Sequence, residues 1–274
     1  MRKIKKILIN YPYEAAPGTT AYYFERAIAN SKHYTGYRRG EIEPSKVDLI
    51  LNIEQCQEII KQPGVPSVYY EIDNHIMRGS QLAYYALADI VFIAQKHFIN
   101  EYPPEKTVYI PLAADPEIHK PYDDEPITYD IGFCGNANYP RRRELLHKLC
   151  NNYKGYVGHT AAGEPYARAL SRCKILFNCS MDNDVNMRFF EAMMIGRPLV
   201  SDKLPAQKEL AQQGVHYMAY YDESDLMRKV ALSIGNEKKR VAMGRVARNY
   251  AIKHHTYKIR LQKIIKEVQC RPCL

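Results

Sequence analysis

The amino-acid sequence predicts an α/β fold in two units, each built on a largely parallel sheet. Three observations carry this. Apolar strand-like runs alternate with helical stretches along the whole chain. The run from Cys173 to Pro205 reads strand, loop, helix, strand, with its polar residues gathered where the strand carboxyl ends lie. A polar stretch carrying Pro111, Pro116, Pro121 and Pro126 around Asp123-Asp124-Glu125 separates two periodic halves. In an open α/β sheet the carboxyl edge is where ligands bind.

The first unit, residues 1–110, opens with the strand Ile4 to Asn10 behind a basic start. Thr19 or Thr20 caps a helix from Ala21 to about Asn30. Tyr34 to Tyr37 and Val47 to Asn52 read as strands, and Ile53 to Lys61 as a short helix stopped by Pro63-Gly64. Val68 to Ile72 is a strand whose end carries Glu71, Asp73, Asn74 and His75. Ser80 to Ala88 is helical, Ile90 to Ala94 a strand, Lys96 to Glu101 a short helix and Thr107 to Ile110 the last strand.

Residues 111–127 read as the hinge, and residues 128–254 as the second unit. Its first strand, Tyr129 to Cys134, ends in Gly135-Asn136-Ala137-Asn138 before a helix from Arg141 to Asn151. Gly155 to Val157 is a short strand, and Pro165 suits the first turn of a helix through Arg172. After the run 173–205 come a helix from Leu204 to Gln213, a strand from Val215 to Tyr220, and helices over Glu223 to Ile234 and Glu237 to His254. Residues 255–274 form a terminal helix able to pack back onto the first unit.

Composition narrows the class. Apolar content of 46% with 25% charged residues is that of a soluble globular chain. No apolar run is long enough to span a membrane, and MRKIKKILINYPY lacks the apolar stretch and small-residue site of a leader. Seven widely spaced cysteines read as reduced thiols in the cytoplasm, with Cys270 and Cys273 in a tail. A net charge of +9 permits an anionic partner, and the tyrosine pairs, Tyr22-Tyr23, Tyr69-Tyr70, Tyr84-Tyr85 and Tyr220-Tyr221, offer stacking platforms for sugars or bases.

Chemistry concentrates at two strand ends. Gly135 lets a phosphate approach the backbone, the helix that follows presents unpaired N–H groups, and Arg141, Arg142 and Arg143 add charge. Arg188 and Glu191 stand three apart near a helix start, where an arginine can hold a diphosphate and a carboxylate can accept from a ribose diol. Neither a P-loop nor GxGxxG occurs, which argues against a nicotinamide-dependent oxidoreductase.

These pieces resemble the glycosyl transferases group 1 superfamily, and most closely its CgeB-like, spore-maturation-protein-like branch. The likeness rests on Asn178, Arg188-Phe189-Phe190-Glu191-Ala192, Gly196-Arg197-Pro198-Leu199-Val200, Tyr220-Tyr221-Asp222, Asp225-Leu226 and His255-Thr256-Tyr257-Lys258-Ile259-Arg260. Asp130 to Gly135 with Arg142 and Arg143, and Pro111 to Asp115 before Pro121, extend it. The match covers roughly residues 107–265.

The resemblance implies a GT-B fold, two Rossmann-like domains facing across a cleft. The first would take the acceptor and the second a nucleotide-sugar, foremost a UDP-sugar. It implies a glycosyltransferase with no bound cofactor or metal, in which arginines and helix dipoles neutralise the leaving diphosphate. The donor set carried onto this chain is Gly135, Asn136, Arg142, Arg143, Asn178, Asp182, Asn183, Asp184, Arg188, Phe189 and Glu191. Relatives carry two carboxylates eight apart; here the first of the pair is Asn183, between Asp182 and Asp184. Asp73, His75 and Glu14 are the candidates to activate an acceptor hydroxyl. The acceptor is a cell-surface saccharide or similar; alternatives are hydroxyl-bearing modified bases in DNA, or a binding or assembly protein that has lost turnover.

Overall fold

The computed structural model describes residues 3–12, 16–54, 56, 58–73, 82–159 and 162–271. The chain divides into two compact units, Met1–Leu112 with Tyr257–Leu274, and Ala113–Thr256. The first begins with β1 (Lys6–Asn10), α1 (Thr20–Ala29), β2 (Thr35–Arg38), β3 (Leu49–Ile53), β4 (Ser67–Glu71), α2 (Leu82–Leu87), β5 (Ile90–Ile93) and β6 (Thr107–Tyr109). Its sheet runs β2-β1-β3-β4-β5-β6 and every pairing is parallel. The sequences LILNI, SVYYE and IVFI are buried throughout, as central strands covered on both faces must be. The edge strand β2 is mostly exposed and carries Arg38, paired with Glu25 at 2.9 Å, which blunts the edge.

The second unit comprises β7 (Tyr129–Cys134), α3 (Pro140–Asn152), β8 (Gly155–Gly158), α4 (Gly163–Ser171), β9 (Cys173–Asn178), α5 (Met187–Ile195), β10 (Leu199–Asp202), α6 (Gln207–Leu210), β11 (Met218–Tyr220), α7 (Glu223–Ile234) and α8 (Glu237–His254). Its sheet is again parallel, in the order β8-β7-β9-β10-β11. Phe133, Leu145, Leu149, Phe177, Val200, Leu226 and Val230 form its core between sheet and helices. Local chemistry sets the helix ends. Pro140 opens α3, and the Asp222 and Asn236 side chains accept from Asp225 N–H and Lys239 N–H to cap α7 and α8. Gly196 closes α5 at φ +79°.

The last helix, α9 (Tyr257–Cys270), belongs to the first unit and packs on α1. The Tyr257 ring meets Tyr23 and Phe24 at 5.2 and 5.1 Å. Arg260, almost wholly buried, donates from Nε to Pro111 O at 2.7 Å and from Nη2 to Leu112 O at 2.9 Å. On the other side of that crossing, Ala114 N–H donates to His255 O, and His255 Nε2 lies 2.7 Å from Leu210 O. The His255-to-Arg260 motif is thus tied at its start within the second unit and at its end within the first.

Several sequence expectations change. Residues 113–127, read as hinge, pack inside the second unit, with Ile118 and Tyr122 buried. No helix occupies the described part of 53–61, because side chains of neighbouring strands claim its backbone. Asn52 Oδ1 accepts Ile60 N–H at 2.9 Å, and Asn10 Nδ2 donates to Glu58 O at 2.7 Å. The helix expected over 204–213 is only Gln207–Leu210, because the backbone is already extended at Ala211. Of the tyrosine pairs, Tyr23, Tyr69, Tyr70, Tyr85 and Tyr220 are core residues and offer no stacking face, while Tyr221 is exposed. Cys273 lies outside the described residues.

Candidate functional site

In both sheets the order places a switch point between the unit's first and third strands, where loops diverge and leave a crevice at the carboxyl edge. In the second unit these strands are β7 and β9. β7 is followed by Gly135 at φ +139°. A Cβ at Gly135 would stand 2.2 Å from Arg188 Nη2, so glycine is what lets the guanidinium lie against the loop. Arg188, in the first turn of α5, donates from Nε to Cys134 O and from Nη1 to Asn178 Oδ1, both at 2.8 Å. Its guanidinium also lies over the Phe133 ring, 4.6 Å from the centroid. One arginine therefore joins the ends of β7 and β9 to the start of α5.

The surrounding residues hold this arrangement rigid. Asn178 is buried, donates to Ser201 Oγ at 3.2 Å, and accepts Tyr220 OH on its carbonyl. Arg142 is also buried and uses three N–H donors on backbone, one to Asn136 O and two to Cys179 O. Burial first, and then the Arg188 charge, lower the Arg142 pKa. Asp202, ending β10, accepts Ser180 N–H at 3.0 Å and lies 3.4 Å from Arg141 Nη1. In the loop between, Asp182 and Asn183 take left-handed backbone at φ +49° and +63°. Asp184 is buried and closes that loop by accepting Met181 N–H.

The result is a cleft of about 490 Å³, lined by Tyr139, Pro140, Arg141, Arg142, Ser180, Asp182, Asn183, Asp202, Lys203 and Tyr221 among others. The first turn of α3 opens onto it, adding N–H groups to the cations. Its size suits a small organic ligand, and its charge suits an anionic, hydroxyl-rich one.

The expected residues fall into three groups. Arg142, Asp182 and Asn183 line the cleft, while Gly135, Asn136, Asn178, Asp184 and Arg188 do not line it; Asn136, Asp184 and Asn178 brace the lining residues Arg142, Met181 and Tyr220, and Arg188 braces Asn178. Arg143 is exposed and does not line the cleft; Arg141, one residue earlier on α3, does. Phe189 is fully buried against Phe190 and Tyr217 and is a packing residue of α5. Glu191 does not line the cleft either. It is 7% exposed, with Oε1 3.3 Å from His119 Nε2. Tyr166 stands beside it; burial, then the Glu191 charge, hold that phenol well above its usual range. Ser180, Asp202 and Lys203 went unnoticed as site residues, although the polar end of β10 was the available signal.

In the first unit, Asp73 is partly buried just past β4, and its N–H donates to Glu54 Oε2 at 2.5 Å. Glu54 is wholly buried, and Ile72 N–H donates to the same oxygen. Glu14 and His75 lie outside the described residues. Among the described residues, no group of three or more His, Cys, Asp or Glu could hold a metal ion, and no helix is long and apolar enough to cross a membrane.

Two doubly wound units, the second with an arginine-lined cleft at the carboxyl edge of its sheet, define an α/β protein of Rossmann-like architecture. The glycosyl transferase-like family matches residues 127–266, just over half of the chain, and the chain belongs to that family. No curated protein matches it. Among solved structures, Anabaena Alr3699/HepE in complex with UDP and glucose is 12% identical at a TM-score of 0.64, over 97% of this chain and 99% of that one. Sucrose-phosphate synthase from Thermosynechococcus elongatus is 11% identical at 0.64, with the same coverage. A Staphylococcus aureus (S. aureus) TarM variant is 12% identical at 0.56, over 79% of this chain and 55% of that one. These likenesses establish the fold as two Rossmann-like units of GT-B type.

Proposed function

We propose that the chain is a glycosyltransferase that moves a sugar from a nucleotide-sugar to an acceptor hydroxyl. The observation that carries this reading is the cleft at the carboxyl edge of the second sheet, lined by Arg141, Arg142 and Lys203, next to which Gly135 makes room for Arg188. Family membership supports it. In the reaction the acceptor oxygen attacks the anomeric carbon. The bond from that carbon to the diphosphate oxygen breaks, and the hydroxyl proton passes to a protein base. Arg188, Arg141 and the first turn of α3 would neutralise the departing diphosphate. Arg142, with three donors committed to carbonyls, would act mainly through its charge.

A UDP-sugar is the donor this reading favours, because relatives of the same fold were solved with UDP or UDP-glucose. Residues 128–254 would then be the donor domain and the first unit the acceptor side, with Asp73, His75 or Glu14 supplying the base. The ordered motifs from Asn178 to Arg260 support the CgeB-like branch. The described free cysteines accord with a cytoplasmic setting. A saccharide acceptor is favoured over DNA, since Arg38 and Arg39 of the basic first unit are paired with Glu25 and Glu58.

The test is a thermal-shift panel of UDP-, GDP-, ADP-, CMP- and dTDP-sugars, followed by calorimetry on the best ligand. One class should stabilise the protein, and Glu191→Gln and Arg188→Ala should each weaken it by roughly 1.5–3 kcal/mol. Unchanged binding in both variants would refute the assignment. Salt-dependent binding to hydroxymethylated duplex would favour the DNA acceptor instead.

A further inference from the structure

We propose that His119 is a positioning residue for the donor, its Nε2–H fixing the Glu191 carboxylate in the orientation that accepts a ribose diol. This rests on the reading of Glu191 as the ribose-binding group.

His119 is fully buried, and its Nδ1 accepts the N–H of Asp115 at 3.1 Å. An imidazole that accepts at Nδ1 carries its proton on Nε2. That nitrogen lies 3.3 Å from Glu191 Oε1. The turn holding the ring is itself fixed: Asp115 Oδ1 accepts Glu117 N–H at 2.9 Å, and His119 N–H donates to Asp115 O at 2.8 Å. Arg248 of α8 ties this turn to the helix that bears Glu191. Its Nη1 donates to His119 O at 3.1 Å and also to Met194 O of α5. The Tyr166 ring meets His119 edge-on, centroids 5.9 Å apart. These contacts fix the His119 ring and the helix that bears Glu191 against each other.

The choice of a histidine matters chemically. Among the described residues, no lysine or arginine forms an ion pair with Glu191. A buried carboxylate left to itself would turn towards water. A neutral N–H donor holds it in place without cancelling its charge. The negative charge then remains to strengthen hydrogen bonds from two adjacent hydroxyls.

The experiment compares wild type, His119→Leu and His119→Gln by calorimetry with UDP and 2′-deoxy-UDP, and with the matching ADP and GDP pairs. Glutamine keeps an N–H near the place of Nε2; leucine has none. Wild type should prefer the ribose form by about tenfold or more. His119→Leu should bind the ribose form about tenfold more weakly with the deoxy form little changed, so the preference collapses towards one. His119→Gln should keep it within about threefold. An equal loss for both sugars in His119→Leu would mark a merely structural role and overturn the proposal. So would His119→Gln behaving like His119→Leu. Should the leucine variant not fold, nitrogen-resolved NMR of the wild-type ring reads the same claim. An Nε2–H tautomer that responds to UDP more than to 2′-deoxy-UDP supports it, and an Nδ1–H tautomer overturns it. If wild type binds none of the ribonucleotides, the donor reading itself fails and this proposal falls with it.

Discussion

Glu54 stands one residue past β3, at the switch point of the first sheet, and Oε1 has no hydrogen-bond partner among the described residues. Burial first, then the Asp73 charge, push its pKa up to about 7, against the pull of two backbone N–H bonds. The folded protein therefore keeps a proton that the unfolded chain releases near the ordinary carboxyl value of 4.5. That stabilisation is full below the unfolded value and is lost as pH rises through about 7. Between roughly pH 5 and pH 7.5, wild type should lose about 1–3 kcal/mol relative to Glu54→Gln in urea denaturation. A difference independent of pH would contradict the assignment. Arg188 yields a second prediction at this scale. Arg188→Lys keeps the charge but cannot bridge Cys134 O and Asn178 Oδ1 together, so nucleotide affinity should fall about tenfold by calorimetry. Arg188, Asn178 and Gly135 were legible because each ends a strand or starts a helix. Glu54 and His119 were not. One fell inside a misread helix and the other inside a proline-rich stretch, and neither has a neighbour in sequence that reveals its partner.

At the scale of elements, the closest approach is between α5 and α8. A Cβ on Gly244 would stand 2.0 Å from the Gly196 carbonyl oxygen, backbone that cannot swing aside. Gly244→Ala should destabilise by roughly 1–3 kcal/mol in chemical denaturation, by forcing the helices apart. A neutral result would mean that the crossing is more compliant than its geometry. Sequence pattern located these helices well, because their caps are local: Asp222, Asn236, Pro140 and Gly196 act within a turn of themselves. It failed over 53–61, where the competing partners are remote: Asn52 and Asn10 reach that backbone only after β1 and β3 have paired.

For the whole molecule, the decisive element is α9. The chain enters the second unit after Leu112 and leaves it after Thr256, so both crossings lie close to one arginine. Arg260→Met would strand the Pro111 and Leu112 carbonyls away from water. It should cost roughly 2–4 kcal/mol in urea denaturation. Nucleotide affinity of the folded variant should be unchanged, because Arg260 belongs to the first unit and the cleft to the second. A loss of affinity without a loss of stability would contradict this division of labour.

The sequence by itself determined the two parallel α/β units, the strand ends that carry polar chemistry, and the arginine at the start of α5. These follow from periodicity, capping and the chirality of the chain, all of which act over a few residues. Only the tertiary structure decided which tyrosines are core, which two of three consecutive arginines line the cleft, and which groups hold Glu191 and Asp73. Those outcomes depend on burial and on partners distant in sequence. His119 and Glu191, or Glu54 and Asp73, acquire their properties from a shared low-dielectric environment that exists only once the sheets have formed.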